Sequence, residues 1–310
     1  MSQPLFNARS TGGLAVRVQP SPLPSREFVR RTREQELELT LAELQGNYAD
    51  MHAALFEASQ VYRRLCAPRL VQHGCFEIAS ETFAARHLPG DFITVEDAGD
   101  SVMFALGDIT GKGLAAGMWT TLLLGLLAIH SKSNVEPETI VTEMNGGLCR
   151  ASIGVPLASL LLGRLNSKNG MLDYCSAGHP PALLLRADGR LESLSDGGPL
   201  LGAVSHASFV KGSVELRAGD VLVAYSDGIL EAHNYEDEEF GFDRLEAQLR
   251  RAAGSYADSV LFSMLGAVQD FVGGCPQADD MSLMIVRRRA RSETATPFDL
   301  NMHSRNTNLD

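Results

Sequence analysis

The stretch that most constrains the fold of this chain runs from Gly90 to Gly113 and reads GDFITVEDAGDSVMFALGDITGKG. It holds two apolar runs, Phe92 to Val95 and Val102 to Leu106, separated by a turn rich in Asp and Gly. This pattern predicts a β-hairpin. The hairpin would bring Asp91 and Asp108 side by side, because one lies at the start of the first strand and the other at the end of the second.

Two neighbouring carboxylates repel each other, so the pair requires a cation or a shared proton. With no His or Cys beside them, aspartates favour a hard ion such as Mg²⁺ or Mn²⁺. The alternative is that the two Gly-Asp pairs are ordinary turns, and the rest of the chain bears on that choice.

Composition limits the classes of function that fit. The 310 residues suffice for one large domain or two small ones. A formal net charge of -11 argues against broad nucleic-acid binding and against docking on an anionic membrane. The five cysteines show no CxxC spacing, which predicts reduced thiols in a cytoplasmic protein. No apolar signal core lies in residues 1–25, and the longest apolar run, Leu114 to Ile129, is short for a membrane span.

The first part of the chain divides into two segments. Residues 1–25, rich in Ser, Pro, Gly and Arg, predict a disordered lead-in. Residues 26–67 predict a coiled-coil helix that ends at Pro68. Its apolar or aromatic positions alternate in spacing between four and three residues: Leu37, Leu41, Leu44, Tyr48, Met51, Leu55, Ala58, Tyr62 and Leu65. The pattern favours a homodimer through residues 34–65, and the alternative is one amphipathic helix packed on its own domain.

Residues 68–289 predict a single α/β domain, and residues 290–310 a disordered tail. Alternating strand and helix patterns indicate a sandwich with antiparallel sheets. The Gly-Lys-Gly sequence at 111–113 could cradle an anion at a helix start, although the signal is weak. We interpret His179, within Gly-His-Pro-Pro, as a turn residue, with a ligand or base as the alternative. The acidic segment 231–242 suggests a flap.

Several aspartates lie where predicted strands end, beside turns. Asp91 and Asp108 are joined by Asp227 and by Asp279 or Asp280. Four such carboxylates indicate two metal ions that activate a water to attack phosphorus. Glycoside hydrolysis is the alternative, but it needs only two carboxylates.

The motif order GDF, GDITGKG, AGHPP, SDGILEA, FG and ADDMS resembles the SpoIIE-type branch of the metal-dependent PP2C-like (PPM) serine/threonine phosphatases. The resemblance covers about residues 57–288. It implies an αββα sandwich of two mainly antiparallel sheets flanked by helices. It also implies two Mn²⁺ or Mg²⁺ ions held by Asp91, Asp108, Asp227 and Asp279, with the Ile109 carbonyl as a backbone ligand and Asp280 ranked second to Asp279.

The resemblance further implies a substrate and partners. The expected substrate is a phosphoserine or phosphothreonine protein, in bacterial members a STAS-type anti-sigma factor antagonist. The activating signal is unidentified and could be a protein partner on the coiled coil. The chain departs from the GGDFYD pattern of the family, since Pro89 replaces the first Gly and Ile93-Thr94 replace Tyr-Asp. The alternative function is a coiled-coil scaffold with a catalytically weak phosphatase-like domain.

Overall fold

The structure is a computed structural model that describes residues 26–111, 113–131, 135–150 and 156–289, with backbone alone for 26–29 and 32. The predicted disordered segments, 1–25 and 290–310, lie outside the described residues, as does Lys112 of the predicted anion loop. The chain divides into two compact units between His52 and Ala53. The described helices are α1 (Arg26–Leu65), α2 (Leu114–Ser131), α3 (Pro137–Arg150), α4 (Asp227–Leu230), α5 (Gly241–Ala252) and α6 (Ala257–Val272).

The strands of the second unit form two sheets, and every pairing is antiparallel except that of β9 with β6. The first sheet has the order β1-β2-β12-β11-β7-β8, and the second has the order β10-β6-β5-β4-β3 with β9 beside β6. The strands are β1 (Leu70–His73), β2 (Phe76–Phe83), β3 (Phe92–Asp97), β4 (Ser101–Ile109), β5 (Ala158–Asn166), β6 (Met171–Ala177), β7 (Ala182–Leu185), β8 (Leu191–Leu194), β9 (Gly197–Gly198), β10 (Gly212–Glu215), β11 (Val221–Tyr225) and β12 (Met281–Arg288).

Three apolar layers hold the sandwich together. One, which includes Phe104 and Met284, lies between the sheets. A second packs α2 and α3 on the sheet that contains β4, and a third packs α5 and α6 on the sheet that contains β11. Burial of large apolar side chains on both faces of each sheet is the dominant stabilising term for such an architecture. The predicted αββα sandwich is confirmed.

The β3–β4 hairpin has the predicted register at its open end. Phe92 pairs with Gly107, so the preceding Asp91 lies opposite Asp108. Across the molecule, β11 pairs with β12, with Tyr225 opposite Leu283. This pairing places the residues that follow β11 beside those that precede β12.

Some elements differ from the sequence prediction. The short edge strand β1 and the four-residue helix α4 were missed, because neither is long enough to show a periodic pattern. Helix α2 does have the length and composition of a membrane span, yet seven of its residues, including Leu123 and Leu127, are buried in the domain. Packing on the sheet accounts for the buried apolar face of the helix, whereas Met118, Leu122 and Ile129 are exposed.

Candidate active site

Four strand ends carry the predicted carboxylates. Asp91 immediately precedes β3, Asp108 is the penultimate residue of β4, Asp227 follows β11 at the start of α4, and Asp279 lies two residues before β12. Asp108 and Asp227 line one cavity of about 480 Å³, together with Thr110, Ser159, Gly178, His179, Pro180, Leu200 and Ser226.

Asp91 is the most deeply buried of these carboxylates, at 2 % exposure. Burial raises its pKa to about 8, an effect that the nearby Asp108 and Asp280 charges increase and that hydroxyl contacts from Ser226 and Ser282 partly offset. Its Oδ2 atom is buried and has no hydrogen-bond partner among the described residues. A buried carboxylate oxygen without a donor is costly, so this atom favours a proton or a cation.

The ionised form of Asp108 is likewise disfavoured by burial and by neighbouring negative charges. Burial raises its pKa to about 6, and the charges of Asp227, Asp279 and Asp280 add to the effect. Four carboxyl groups therefore act on one another at this end of the sandwich. A divalent cation would relieve the repulsion and stabilise the ionised forms.

Asp280 has a different environment from its neighbour. It is 5 % exposed, and its two carboxylate oxygens each accept a backbone N–H at 2.7 Å, one from Ala85 and one from Gly90. The adjacent Asp279 is half-buried, and its Oδ1 accepts the Asp280 N–H at 2.8 Å. Asp280 thus fixes the loop that leads into β3 and Asp91. Its role as a metal ligand, ranked second to Asp279, stays a prediction.

Two glycines permit the backbones to approach at the site. A Cβ added at Gly228 would lie 2.0 Å from the Asp280 carbonyl oxygen. A Cβ at Gly90 would lie 2.8 Å from the Ile109 carbonyl oxygen and 3.0 Å from Asp108 Oδ1. Side chains at either position would push apart the segments that carry the carboxylates. The predicted backbone ligand, the Ile109 carbonyl, is therefore beside Gly90 and Asp108.

His179 is more than a turn residue, because its ring is buried and lines the cavity with Asp108 and Asp227. Its Nδ1 lies 2.9 Å from Ser159 Oγ, which accepts the Asp108 N–H at 3.3 Å. Burial lowers the pKa of His179 to about 3, and the Tyr225 backbone offsets this only in part. The neutral ring is therefore linked to β5 through Ser159, and Ser159 in turn accepts the Asp108 N–H of β4.

Sequence reasoning did not identify Tyr62 or Ser159 as parts of the site. The Tyr62 hydroxyl, from the end of α1, donates a 2.5 Å hydrogen bond to the Asp91 carbonyl. Ser159 lies in β5 opposite Asp108. Tyr62 fits the heptad pattern and Ser159 stands in an apolar stretch of sequence, so neither residue carries a separate signal of function.

The residues present fit a divalent cation by donor chemistry, since carboxylate and carbonyl oxygens are the ligands that Mg²⁺ and Mn²⁺ prefer. The orphaned Asp91 oxygen and the mutual repulsion of Asp91 and Asp108 point the same way. Within the described ranges, no group of three or more His, Cys, Asp or Glu side chains is gathered closely enough to hold one ion. The carboxylates thus lie at separate strand ends and do not form one close cluster.

Comparison with known proteins decides the family. The sequence profile described as Stage II sporulation protein E (SpoIIE) matches residues 98–289, well over half of the chain. The chain belongs to the SpoIIE family. Phosphoserine phosphatase RsbU of Bacillus subtilis (strain 168) is 21% identical over 254 residues, which are 79% of this chain and 73% of RsbU. Protein IcfG of Synechocystis sp. is 27% identical over 233 residues, which are 66% of this chain and only 36% of IcfG.

Solved structures of two bacterial proteins share the fold. The SiaA-PP2C domain of Pseudomonas aeruginosa is 18% identical with a TM-score of 0.69, covering 79% of this chain and 99% of that one. The RsbU and RsbW domains of Rv1364c from Mycobacterium tuberculosis are 24% identical with a TM-score of 0.61, covering 69% and 60%. The profile match confirms the predicted family, and the solved structures show that this chain has the fold of PP2C-type domains.

Proposed function

We propose that this SpoIIE-family chain is a metal-dependent protein serine/threonine phosphatase. Its proposed substrate is a regulatory phosphoprotein, a STAS-type anti-sigma factor antagonist in the cytoplasm. The observation that carries the proposal is the set of mutually repelling carboxyls at neighbouring strand ends, two of which, Asp108 and Asp227, line one cavity. The buried Asp91 Oδ2 is unsatisfied among the described residues. The name of the relative RsbU, a phosphoserine phosphatase, and that of the Rv1364c structure, with RsbU and RsbW domains, support this substrate class.

Asp91, Asp108, Asp227 and Asp279 would hold two Mn²⁺ or Mg²⁺ ions, with the Ile109 carbonyl and Asp280 as further candidates. When bound, such ions neutralise charge on the phosphoryl group and lower the pKa of an attacking water. A solved PP2C structure of PstP, 16% identical with a TM-score of 0.50, is described in complex with two manganese ions.

The protein's own groups position this chemistry. Asp280 holds the loop before Asp91 through two amides, and Tyr62 holds the Asp91 carbonyl. The chain Asp108 N–H to Ser159 to His179 orients the end of β4. Fixed carboxylates of this kind need little reorganisation during the reaction, which lowers the barrier.

The deciding experiment measures hydrolysis of p-nitrophenyl phosphate and of a phosphoserine protein, with Mn²⁺, with Mg²⁺ and with EDTA. Turnover should require a divalent ion and should be lost in Asp108→Asn. The matched control is Asp188→Asn, which changes an exposed turn carboxylate paired with Arg190. Full activity in EDTA would overturn the metal mechanism, and no turnover under any condition would favour the scaffold alternative.

We also propose that residues 34–65 form a homodimer. Within α1, the heptad positions Leu41, Leu44, Tyr48 and Met51 are each more than half exposed. A row of apolar side chains on one helix face is costly in water and is covered by a second helix in coiled coils. Replacing Leu44 and Leu55 with Glu should give monomers in light scattering; an unchanged mass would place the interface elsewhere. An upstream activating protein that acts through this helix stays a proposal.

A further inference from the structure

A second cavity, of about 450 Å³, lies on the other side of the turn that carries Asp227. We call it the α6 cavity. Its walls come from α6, from the end of β2, from the start of β12 and from the segment between α6 and β12. Most of its lining is apolar, including Phe83, Phe262, Leu265, Val268, Val272 and Met281. A volume of this size with a mostly apolar lining is typical of ligand-binding pockets in proteins.

The α6 cavity adjoins the candidate active site. Gly228 and Asp279 line it, and Asp227, the neighbour of Gly228, lines the cavity that also contains Asp108. Gly228 packs directly on the Asp280 carbonyl, and it follows Asp227 in the chain, so the linings of the two cavities meet at this stretch of backbone. A residue of extended chain spans about 3.3 Å, so a peptide bound at the aspartates would reach the α6 cavity within a few residues.

The mouth of the α6 cavity is built by hydrogen bonds. Gln277 Nε2 donates to the Phe83 carbonyl and to the Asp279 carbonyl, at 2.7 Å in each case. Gln277 therefore ties the end of β2 to the residue that precedes Asp280. These hydrogen bonds hold the segment beside Asp279 in place. Glu231 and His233 add polar groups to the lining of the cavity.

We infer that the α6 cavity is a substrate subsite that binds a large apolar side chain of the phosphoprotein, a few residues from its phosphoserine. The inference rests on the proposed function, because the phosphatase substrate is the ligand that must lie against Asp279 and Gly228 at once. An apolar interior selects Leu, Ile, Met or Phe over Ala or Asp, since burial of each CH₂ is favourable and burial of a charge is not.

Gly266 offers a direct way to fill the cavity. It lines the cavity from α6, and a Cβ added there meets no atom within 4 Å. Gly266→Trp and the smaller Gly266→Met should therefore occupy the subsite from its α6 wall. The matched control is Gly125→Trp, which changes an exposed glycine in α2 that likewise has open space around its Cβ.

The probes are nonapeptides with phosphoserine at the centre. In each Leu peptide one flanking position, before or after the phosphoserine, is Leu, and in the Ala peptide all of these positions are Ala. With wild type and Gly125→Trp, kcat/KM for the best Leu peptide should exceed that for the Ala peptide by about tenfold or more. With the Gly266 variants this preference should disappear, while p-nitrophenyl phosphate, too small to reach the cavity, is hydrolysed at the wild-type rate. Equal rates for Leu and Ala peptides in wild type, or a preference that survives in a folded Gly266 variant, would overturn the subsite.

A binding measurement separates the subsite from the proposed activity. The fluorescence anisotropy of labelled Leu and Ala peptides is titrated with wild type and Gly266→Met in EDTA, so that no turnover is needed. Tighter binding of the Leu peptide to wild type alone supports the subsite even if no phosphatase activity is found. Equal binding of both peptides to both proteins rejects it even if p-nitrophenyl phosphate is hydrolysed.

Discussion

Replacement of Asp280 by Asn tests whether this residue holds the loop that leads into Asp91. Asp280 Oδ1 accepts the Ala85 N–H and Oδ2 accepts the Gly90 N–H, both at 2.7 Å and in a buried setting. An Asn amide keeps one acceptor oxygen and places an NH₂ group against the other N–H. The substitution therefore breaks one charge-assisted hydrogen bond, weakens the second and leaves a buried donor unpaired.

The magnitude follows from these losses. A hydrogen bond to a charged group contributes about 1.5–3 kcal/mol, and a buried unsatisfied N–H costs about 1–3 kcal/mol. Because the terms overlap, we expect Asp280→Asn to lower the free energy of unfolding by about 3 kcal/mol. For a domain of this size, about 2–4 °C of melting temperature correspond to each kcal/mol, so the midpoint should fall by roughly 6–12 °C.

The assay is thermal unfolding followed by circular dichroism, with EDTA present so that metal binding does not contribute. Asp279→Asn is the matched control: its side chain is half-buried, and its Oδ1 accepts the adjacent Asp280 N–H. This variant should lose less stability but more metal affinity and more activity than Asp280→Asn. A midpoint for Asp280→Asn within about 2 °C of wild type would refute the loop-holding role, since that corresponds to about 1 kcal/mol or less.

Three further predictions concern the other site residues. Asp108→Asn and Asp227→Asn should each lower turnover by more than about tenfold while circular dichroism shows an intact fold, because each removes a carboxylate from the proposed two-ion site; a smaller loss would exclude that residue as a ligand. The pKa of Asp91 is raised from 3.8 to about 8, so between these pH values the folded metal-free protein binds a proton that the unfolded chain releases. The melting temperature of the metal-free protein should therefore fall as pH rises from about 4 through about 8. Asp91→Asn should flatten this dependence of melting temperature on pH. His179→Ala should leave metal affinity within about threefold of wild type by calorimetry but lower stability by about 2 kcal/mol, because a buried ring and its bond to Ser159 are lost; a large loss of metal affinity would make His179 a ligand.

Local patterns in the sequence were sufficient for most of the fold. Alternating apolar residues and Asp-Gly turns predicted the β3–β4 hairpin, and its register places Asp91 opposite Asp108 as expected. These signals depend on residues near in sequence, which is why they could be found without tertiary contacts. The order of motifs also identified the family.

Long-range contacts decided what the remaining residues do. Asp279 and Asp280 are adjacent in sequence, yet only the packing of the 85–90 loop shows that Asp280 binds two amides from a segment 190 or more residues away. The buried ring of His179 and the cavity lined by Gly266 depend in the same way on elements brought together by the fold. Burial, shifts in pKa and the shape of a cavity arise only when distant segments pack together and exclude water. The sequence by itself therefore determined which carboxylates are candidates for the site. The tertiary structure decided the environment of each one.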